Sequence, residues 1–244
     1  MTAKWTECIT IESDQVDYKS VLRWSSVLGL MQRAADGHIE SLGVSREQMV
    51  EHGMGWMLIT LEVHMSCLPS YKDSIEITTW NRGSKGALWY RDYCFTNEEG
   101  KEIGTASSVW ALVDIHKRKI LRPSAFPYEV PVHNEITGVP LDKHVIPEGS
   151  LLEAVFSHTV RYSGLDSNGH LNNARYADLC WDTLTLEELE HIKVRTFKIT
   201  YHQEARLLDK MELRRSSGEN GVIYVTGVSP AGTNFFEAAI VIES

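Results

Sequence analysis

WSSVLGLMQRAADGHIESL, residues 24–42, is the segment that decides the fold class of this chain. Its apolar residues are separated by intervals of three and four, and they are Trp24, Val27, Leu28, Met31, Ala34, Ala35, Ile39 and Leu42. That spacing predicts an amphipathic helix of about five turns with one broad buried face. Gly43 is placed to end the helix, and a short second helix is expected over 45–51.

The hydrophobic period changes to two after this helix. Met57, Ile59, Leu61, Val63 and Met65 alternate with more polar neighbours, which predicts a strand with one face in the core. Turn-forming residues separate further strands. The expected strands of the first half are 4–12, 57–65, 74–82, 86–96 and 103–114.

A proline-rich segment divides the chain. Five of its seven prolines lie in 122–150, and they are Pro123, Pro127, Pro131, Pro140 and Pro147. Proline fixes φ and cannot donate to a sheet ladder, so this segment is predicted to be a semi-rigid linker and the domain boundary.

The plan of the first half repeats after the linker. A strand at 153–162, a helix through about 183 and a helical turn at 186–191 precede strands at 194–204, 209–216, 221–229 and 233–243. Two short stretches match between the halves: 71–77 with 207–213, and 99–103 with 231–235. We therefore expect an α+β double hot-dog, in which antiparallel sheet wraps around long helices, with repeats at 1–121 and 151–244.

Composition narrows the function class. With 244 residues, 43% hydrophobic content and a net charge of −9, the chain is globular, and nucleic acid is not expected as its main partner. The start of the chain is not a signal peptide, and no run of 18 apolar residues follows, so we expect a cytoplasmic protein without a membrane span. Four separated cysteines without a CxxC pair suggest neither a metal site nor a disulfide framework, and we expect no cofactor.

Residues 165–176 contain the densest polar cluster. Asp166, Asn168 and His170 place a carboxylate, a carboxamide and an imidazole at alternate positions, next to Gly169. This density at the entrance to a predicted helix favours a binding or reacting site. By itself, however, Asp166 is better explained by a helix N-cap or an Asx turn than by catalysis.

The segment DSNGHLNNARY, residues 166–176, closely resembles the D-x-N-x-H-V-N-N-x-K-Y motif of acyl-acyl-carrier-protein thioesterases. Three other segments resemble the family in the same order: WMLITL at 56–61, IEITTW at 75–80 and ASSVWAL at 106–112. The resemblance runs from about residue 4 to the end of the chain. The plant enzymes' targeting extension has no counterpart, which favours a bacterial member.

The resemblance implies a catalytic group of four residues: Asp166, Asn168, His170 and Glu204. The last of these lies in the segment YHQEA, which matches the family's Y-R-x-E-C. Ala205 stands where the plant relatives have a cysteine, so a thiol nucleophile at that position is excluded. Met31, Trp56, Met57, Asn172 and Asn173 are the candidate substrate-binding residues.

Thioester hydrolysis requires an activated water and a stabilised oxyanion. We assign the orientation and deprotonation of that water to Glu204 and His170. Asn168 would position the thioester or the water. Asp166 would hold the Asn168 and His170 side chains or set the histidine tautomer, although Asp166 as the nucleophile remains an alternative. Backbone N–H groups near 169–171, at the expected helix start, are candidate oxyanion donors.

The first repeat is expected to lack this chemistry. If Asp17 aligns with Asp166, Lys19 and Val21 occupy the asparagine and histidine positions. The first half would then shape an acyl tunnel, with Met31, Trp56 and Met57 as wall residues. Methionine and tryptophan suit such a pocket, but they suit an ordinary core at least as well.

The expected function is hydrolysis of fatty acyl-carrier-protein thioesters, which would end chain elongation in fatty acid biosynthesis. Alternatives on the same fold are acyl-CoA hydrolysis, a dehydratase and a non-catalytic acyl-binding protein. The expected partner is acyl carrier protein, and a homodimer is possible. Two basic segments are candidates for docking the acidic carrier: 116–119, and the set Arg206, Lys210, Arg214 and Arg215.

Overall fold

The computed structural model describes residues 2–136, 145–218 and 220–243. It contains two compact units, Met1–Arg23 with Gly29–Leu141 and Trp24–Leu28 with Asp142–Ser244. Part of the predicted linker, including Pro140, lies outside the described residues. No helix in the described part of the chain is both long enough and apolar enough to cross a membrane.

The first unit is an antiparallel sheet with two helices. In chain order its elements are β1 (Lys4–Thr10), α1 (Trp24–Ser41), α2 (Arg46–Glu51), β2 (Met54–Met65), β3 (Ser74–Lys85), β4 (Leu88–Asn97), β5 (Glu102–Asp114) and β6 (Lys119–Ile120). The sheet order is β1-β3-β4-β5-β2, and β6 pairs with β5. The first five residues of α1 group with the second unit.

Local sequence signals fix the ends of these helices. Gly43 has a φ of +83° just beyond α1, and its N–H donates to the Glu40 carbonyl, as the predicted stop requires. Helix α2 starts with a capping box, in which the Ser45 hydroxyl accepts from the Gln48 N–H while the Gln48 side chain accepts from the Ser45 N–H. Both helices therefore lie close to their predicted positions.

The described start of the predicted linker packs against the first unit. Phe126 is buried with Val44, Met49 and Leu112. The Trp80 indole N–H donates to the Glu135 carbonyl at 3.0 Å. Residues 123–135 therefore contribute to the core of this unit as well as leading out of it.

The second unit repeats the plan with shorter helices. Its elements are β7 (Glu153–Thr159), α3 (Arg175–Trp181), α4 (Leu186–His191), β8 (Val194–Tyr201), β9 (Lys210–Arg215), β10 (Val222–Val228) and β11 (Asn234–Ile242). The sheet order is β8-β11-β10-β9-β7, with every pairing antiparallel. Tyr176 of α3 packs edge-on against Tyr201 and Phe236, which places this helix on the sheet.

Helix α3 has seven residues, against eighteen in α1, and it is shorter than the helix predicted there. The Asn172 side chain accepts from the Ala174 N–H, which makes a turn where the helix was expected to be under way. At the other end, the Thr183 hydroxyl donates to the Cys180 carbonyl. Side-chain bonds to the backbone are thus present at both ends of this short helix.

The match between 99–103 and 231–235 has a structural counterpart. In the first unit the N–H groups of Asn97 and Gly100 donate to the carbonyls of Lys101 and Asn97. In the second unit the N–H groups of Ser229 and Gly232 donate to the carbonyls of Thr233 and Ser229. Both glycines have a positive φ, of 73° and 85°, so the same turn is built twice.

Candidate active site

Asp166 organises the polar loop through its backbone neighbours. Its Oδ1 accepts the N–H of Asn168 at 2.7 Å and the N–H of His170 at 3.1 Å. The Asp166 N–H donates to the His170 carbonyl at 2.8 Å, which closes the loop. Gly169 has a φ of +78°, a conformation in which glycine is unstrained. The carboxylate therefore fixes the path that presents Asn168 and His170.

This geometry contradicts the expected backbone oxyanion donors. The N–H of Gly169 donates to the Asp166 carbonyl, that of His170 to the Asp166 carboxylate and that of Leu171 to the Ala205 carbonyl. The loop also precedes α3, which begins only at Arg175, so its N–H groups do not form the helix terminus. The three backbone N–H groups of 169–171 are therefore already used within the two loops.

A second loop brings Glu204 to the histidine. The Leu171 N–H donates to the Ala205 carbonyl at 2.8 Å, and this bond joins the two loops. The His170 Nε2 then lies 3.3 Å from the Glu204 Oε2. The two side chains are 24% and 36% exposed, so the pair is open to water from one side. Arg206 approaches the same carboxylate oxygen at 4.0 Å.

Tyr176 holds the second loop, which carries Glu204. Its phenol oxygen accepts the N–H of Ala205 at 3.3 Å, next to Glu204 in the chain. Burial, together with the nearby Glu204 carboxylate, raises the pKa of Tyr176 to about 12, so the phenol stays neutral. Tyr176 belongs to the polar segment 165–176. The spacing of residues along the chain could not predict that it packs against Tyr201 of strand β8.

The three asparagines of the stretch have different surroundings. Asn168 is exposed, and its amide nitrogen lies 3.5 Å from the Asp166 Oδ2. Asn172 uses its side-chain oxygen in the turn before α3. Asn173 contributes its backbone carbonyl, which accepts the Tyr201 hydroxyl at 2.9 Å. Asn168 is thus the asparagine whose side chain is exposed on the loop that carries His170.

The first unit contains the same loop without the same side chains. Asp17 Oδ1 accepts the N–H of Lys19 at 2.8 Å and the N–H of Val21 at 3.1 Å. The Asp17 N–H donates to the Val21 carbonyl at 2.8 Å, and Ser20 has a φ of 63° where the second unit has Gly169. The aspartate-centred loop is therefore a repeated element of the fold.

The partner loop is repeated as well. The Leu22 N–H donates to the Pro69 carbonyl, just as Leu171 donates to Ala205 in the second unit. Leu68 consequently stands where Glu204 stands. The first unit keeps the aspartate but has lysine, valine and leucine at the other three positions. The loss of chemistry there stays a prediction.

The first unit contains a pocket of its own, with about 460 Å³ of empty volume that is partly open to solvent. Its walls are mainly aromatic and aliphatic, with a few polar groups: Ala35, Asp36, Ile39, Trp56, Asn81, Trp89, Tyr90, Arg91, Trp110 and Val130. Of the predicted wall residues, Trp56 lines this pocket. Met31 is instead buried in the core at 2% exposure, and Met57 is not among the lining residues.

One side of the pocket is polar. The Arg91 guanidinium donates to the Thr79 hydroxyl at 3.1 Å and lies 3.0 Å from the His38 Nδ1. Burial and the Arg91 charge lower the pKa of His38 to about 4, so this imidazole is neutral at pH 7. Burial and the nearby Glu40 raise the pKa of Asp36 to about 6.

Family models match both halves of the chain. The model of the acyl-ACP thioesterase N-terminal domain matches residues 2–125, and the model of the C-terminal domain matches residues 153–229. The chain belongs to the acyl-ACP thioesterase family. The resemblance carried by residues 166–176 is thereby confirmed.

Two curated relatives of this chain come from plants. An acyl-[acyl-carrier-protein] hydrolase of Cuphea viscosissima is 24% identical over 93% of this chain and 55% of its own length. A palmitoyl-acyl carrier protein thioesterase of Arabidopsis thaliana is 24% identical over 73% of this chain and 47% of its own length. The chain thus spans about half the length of the curated relatives it matches.

Solved structures support the fold of this thioesterase family member. An acyl-ACP thioesterase from Bacteroides thetaiotaomicron has a TM-score of 0.88 at 20% identity, covering 99% of this chain and 98% of its own. The 12:0-ACP thioesterase from Umbellularia californica has a TM-score of 0.79 at 18% identity, covering 100% and 98%. The predicted α+β double hot-dog fold is confirmed by these structures.

Proposed function

We propose that this chain hydrolyses fatty acyl-acyl-carrier-protein thioesters to free fatty acid and carrier protein, and so ends fatty acid elongation. The observation that carries the proposal is the 3.3 Å contact between His170 and Glu204, which joins two loops whose copies in the first unit have Val21 and Leu68 at these positions. Family membership supports the same reaction.

The reaction needs one activated water. In the proposed step, the His170–Glu204 pair accepts a proton from a water whose oxygen attacks the thioester carbonyl carbon. The tetrahedral intermediate then collapses, the C–S bond breaks and the pair returns the proton to the departing sulfur. Because a thiol has a pKa of ~8.5, the thiolate can leave with little help from protonation. General-base chemistry is therefore sufficient.

The roles of the other residues follow from their surroundings. Asn168 would donate its side-chain amide to the carbonyl oxygen as negative charge develops there. Asp166 would act through the loop, because its carboxylate already accepts two backbone N–H groups. Asn172 and Asn173 remain proposed substrate contacts near the entrance of α3.

The pocket of the first unit is proposed to hold the acyl chain, with Trp56 as a wall residue. Within this proposal, residues 1–121 form the acyl-binding repeat, 122–150 the linker and 151–244 the catalytic repeat. Free thiols at Cys8, Cys67, Cys94 and Cys180 are in keeping with a cytoplasmic location, where disulfides are rare.

Purified variants test the assignment. Asn168→Ala, His170→Ala and Glu204→Ala should each lower the kcat for an acyl-carrier-protein thioester by more than about tenfold, since general-base and oxyanion groups contribute 10²–10⁴-fold and about 10²–10³-fold. Far-UV circular dichroism checks that each variant is folded.

The first unit supplies the matched controls. Lys19→Ala and Leu68→Ala change the equivalent positions of the other loop and should leave kcat within twofold, a limit set by about 0.4 kcal/mol. A fully active His170→Ala enzyme would contradict the assignment. Faster turnover of the matched acyl-CoA would favour acyl-CoA hydrolysis, and retained acyl ligand without turnover would favour a binding protein.

A further inference from the structure

A surface patch of six residues lies on one side of the candidate active site of the second unit. It consists of two adjoining loop segments, Arg161-Tyr162 and Arg206-Leu207-Leu208, together with Lys210. We infer that this rim patch is the docking surface for the acidic carrier protein that delivers the thioester. The inference rests on the proposed function, because it presupposes a carrier-bound substrate.

Backbone hydrogen bonds place the two segments of the rim patch side by side. The Leu208 N–H donates to the Val160 carbonyl at 3.0 Å, and the Val160 N–H donates to the Asp209 carbonyl at 2.9 Å. Thr159 pairs with Lys210 in the β7–β9 ladder. Arg161 and Tyr162 therefore leave the sheet next to Leu208 and Lys210.

The patch also adjoins the reacting groups. His170 forms an isolated antiparallel bridge with Arg206, and the Arg206 guanidinium lies 4.0 Å from the Glu204 carboxylate. A carrier bound to the rim patch would hold its thioester within reach of the site while the protein itself stays outside. Proximity of this kind is what a docking surface must provide.

The rim patch combines exposed apolar and cationic side chains. Tyr162, Leu208 and Leu207 are 86%, 60% and 49% exposed. The three cations are also exposed. Large apolar groups exposed together, with charges around them, are typical of a protein-binding surface. Three cations on a chain of net charge −9 fit an acidic partner.

The duplicated loop shows that the fold does not require these side chains. Hydrogen bonds equivalent to those of Val160 and Leu208 join Ile11 to Asp73 and Lys72. The first-unit counterparts of the rim patch are Glu12, Ser13, Ser70, Tyr71, Lys72 and Ser74. One acid and one lysine replace three cations, so the positive charge accompanies the active site and not the backbone.

The structure reduces the set of basic residues that the sequence offers as candidates for docking the carrier. Arg215 is only 15% exposed, and it makes a two-point contact with Glu188 while donating to the Thr183 carbonyl. Arg214 pairs with Glu212 on strand β9. These two arginines have partners in the second unit. Arg206 also contacts a carboxylate, that of Glu204 at 4.0 Å, but its side chain is 55% exposed, and Arg206 and Lys210 belong to the rim patch.

Charge reversal tests the inference. The double variant Arg161→Glu/Lys210→Glu is compared with Lys19→Glu/Lys72→Glu, which makes the same change of charge on the loops of the first unit. The first variant should raise the KM for acyl-carrier-protein about tenfold at low salt with kcat unchanged, and the second should change KM less than twofold. Hydrolysis of acyl-N-acetylcysteamine, which has no carrier, should be unaffected in both.

Binding of fluorescently labelled carrier protein, measured by anisotropy, separates this inference from the proposed function. Carrier binding that is lost in Arg161→Glu/Lys210→Glu supports the rim patch, even if the wild-type protein does not turn the thioester over. Normal kinetics with acyl-carrier-protein in that variant would overturn the rim patch and leave the proposed function intact. A selective loss of acyl-CoA hydrolysis, or a change in sedimentation without a change in carrier binding, would also overturn it.

Discussion

Replacing Asp166 by asparagine and by alanine distinguishes a residue that holds the loop from one that attacks the substrate. Asparagine can still accept the N–H groups of Asn168 and His170, which lie 2.7 and 3.1 Å from the Asp166 Oδ1. Alanine cannot. If Asp166 works only through these bonds, Asp166→Asn should keep the kcat within about tenfold, or 1.4 kcal/mol, of the wild-type value.

The magnitudes follow from the two hydrogen bonds. A hydrogen bond to a charged group contributes about 1.5–3 kcal/mol, and a neutral one about 0.5–1.5 kcal/mol. Because the Asn168 N–H is exposed and water can replace one bond, Asp166→Ala should cost about 2–3 kcal/mol of folding stability, and Asp166→Asn about 1 kcal/mol. For a chain of this size, that lowers Tm by roughly 4–12 °C and 2–4 °C.

Asp17 is the internal control. Its bonds to Lys19 and Val21 have lengths of 2.8 and 3.1 Å, so Asp17→Ala and Asp17→Asn should lower Tm by the same amounts without the direct effect on kcat. Differential scanning fluorimetry and single-turnover hydrolysis measure the two effects separately. Loss of a covalent nucleophile removes a factor on the order of 10⁶. A loss of that size in Asp166→Asn, with a Tm lowered by no more than roughly 2–4 °C, would refute the positioning role and identify Asp166 as the nucleophile.

Two further predictions concern stability. Arg215 lowers the pKa of Glu188 to about 2, so this pair stabilises the fold above pH 4.5, the ordinary glutamate pKa, and the contribution disappears as the pH falls towards 2. Arg215→Met should therefore cost about 1 kcal/mol at pH 7 and less at pH 3, as measured by urea unfolding; an equal cost at both pH values would contradict the linkage. Gly104→Ala should cost about 1–3 kcal/mol, because its Cβ would lie 2.6 Å from the His64 carbonyl. Gly29→Ala in α1, where nothing lies within 4 Å, should be neutral or stabilising by up to about 1 kcal/mol; if both alanines have the same effect, the steric reason is wrong.

Most of the fold could be predicted because hydrophobic periodicity is a local property. The predicted strand 57–65 lies within β2, and the predicted helix 24–42 differs from α1 by one residue at its end. Helix α3 was predicted too long because Asn172 and Thr183 bond to the backbone at its two ends. Side chains that compete with helical hydrogen bonds do not alter the apolar spacing, so the pattern alone does not show where such a helix ends.

The site was only partly predictable for a different reason. Alternating Asp166, Asn168 and His170 were visible as a cluster, whereas Glu204 lies 34 residues from His170 and could be associated with it only through the family motif. Which acceptor the N–H groups of the loop bind depends on where the Asp166 carboxylate points. The spacing of residues in the sequence does not specify that direction. The prediction of oxyanion donors at 169–171 was wrong because these N–H groups lie in a loop built on an Asx turn and not at the start of a helix.

The repeated aspartate loop also bears on how a duplicated chain can change over time. Replacing Asp17 would remove two backbone hydrogen bonds, so selection for folding alone opposes its replacement, whether or not the first unit has an activity. The hydrogen bonds that shape the loop do not use the side chains of Lys19, Val21 and Leu68. These side chains can therefore be replaced without loss of the loop. A copy of this kind can therefore lose its chemistry through a few side-chain replacements while its backbone stays the same.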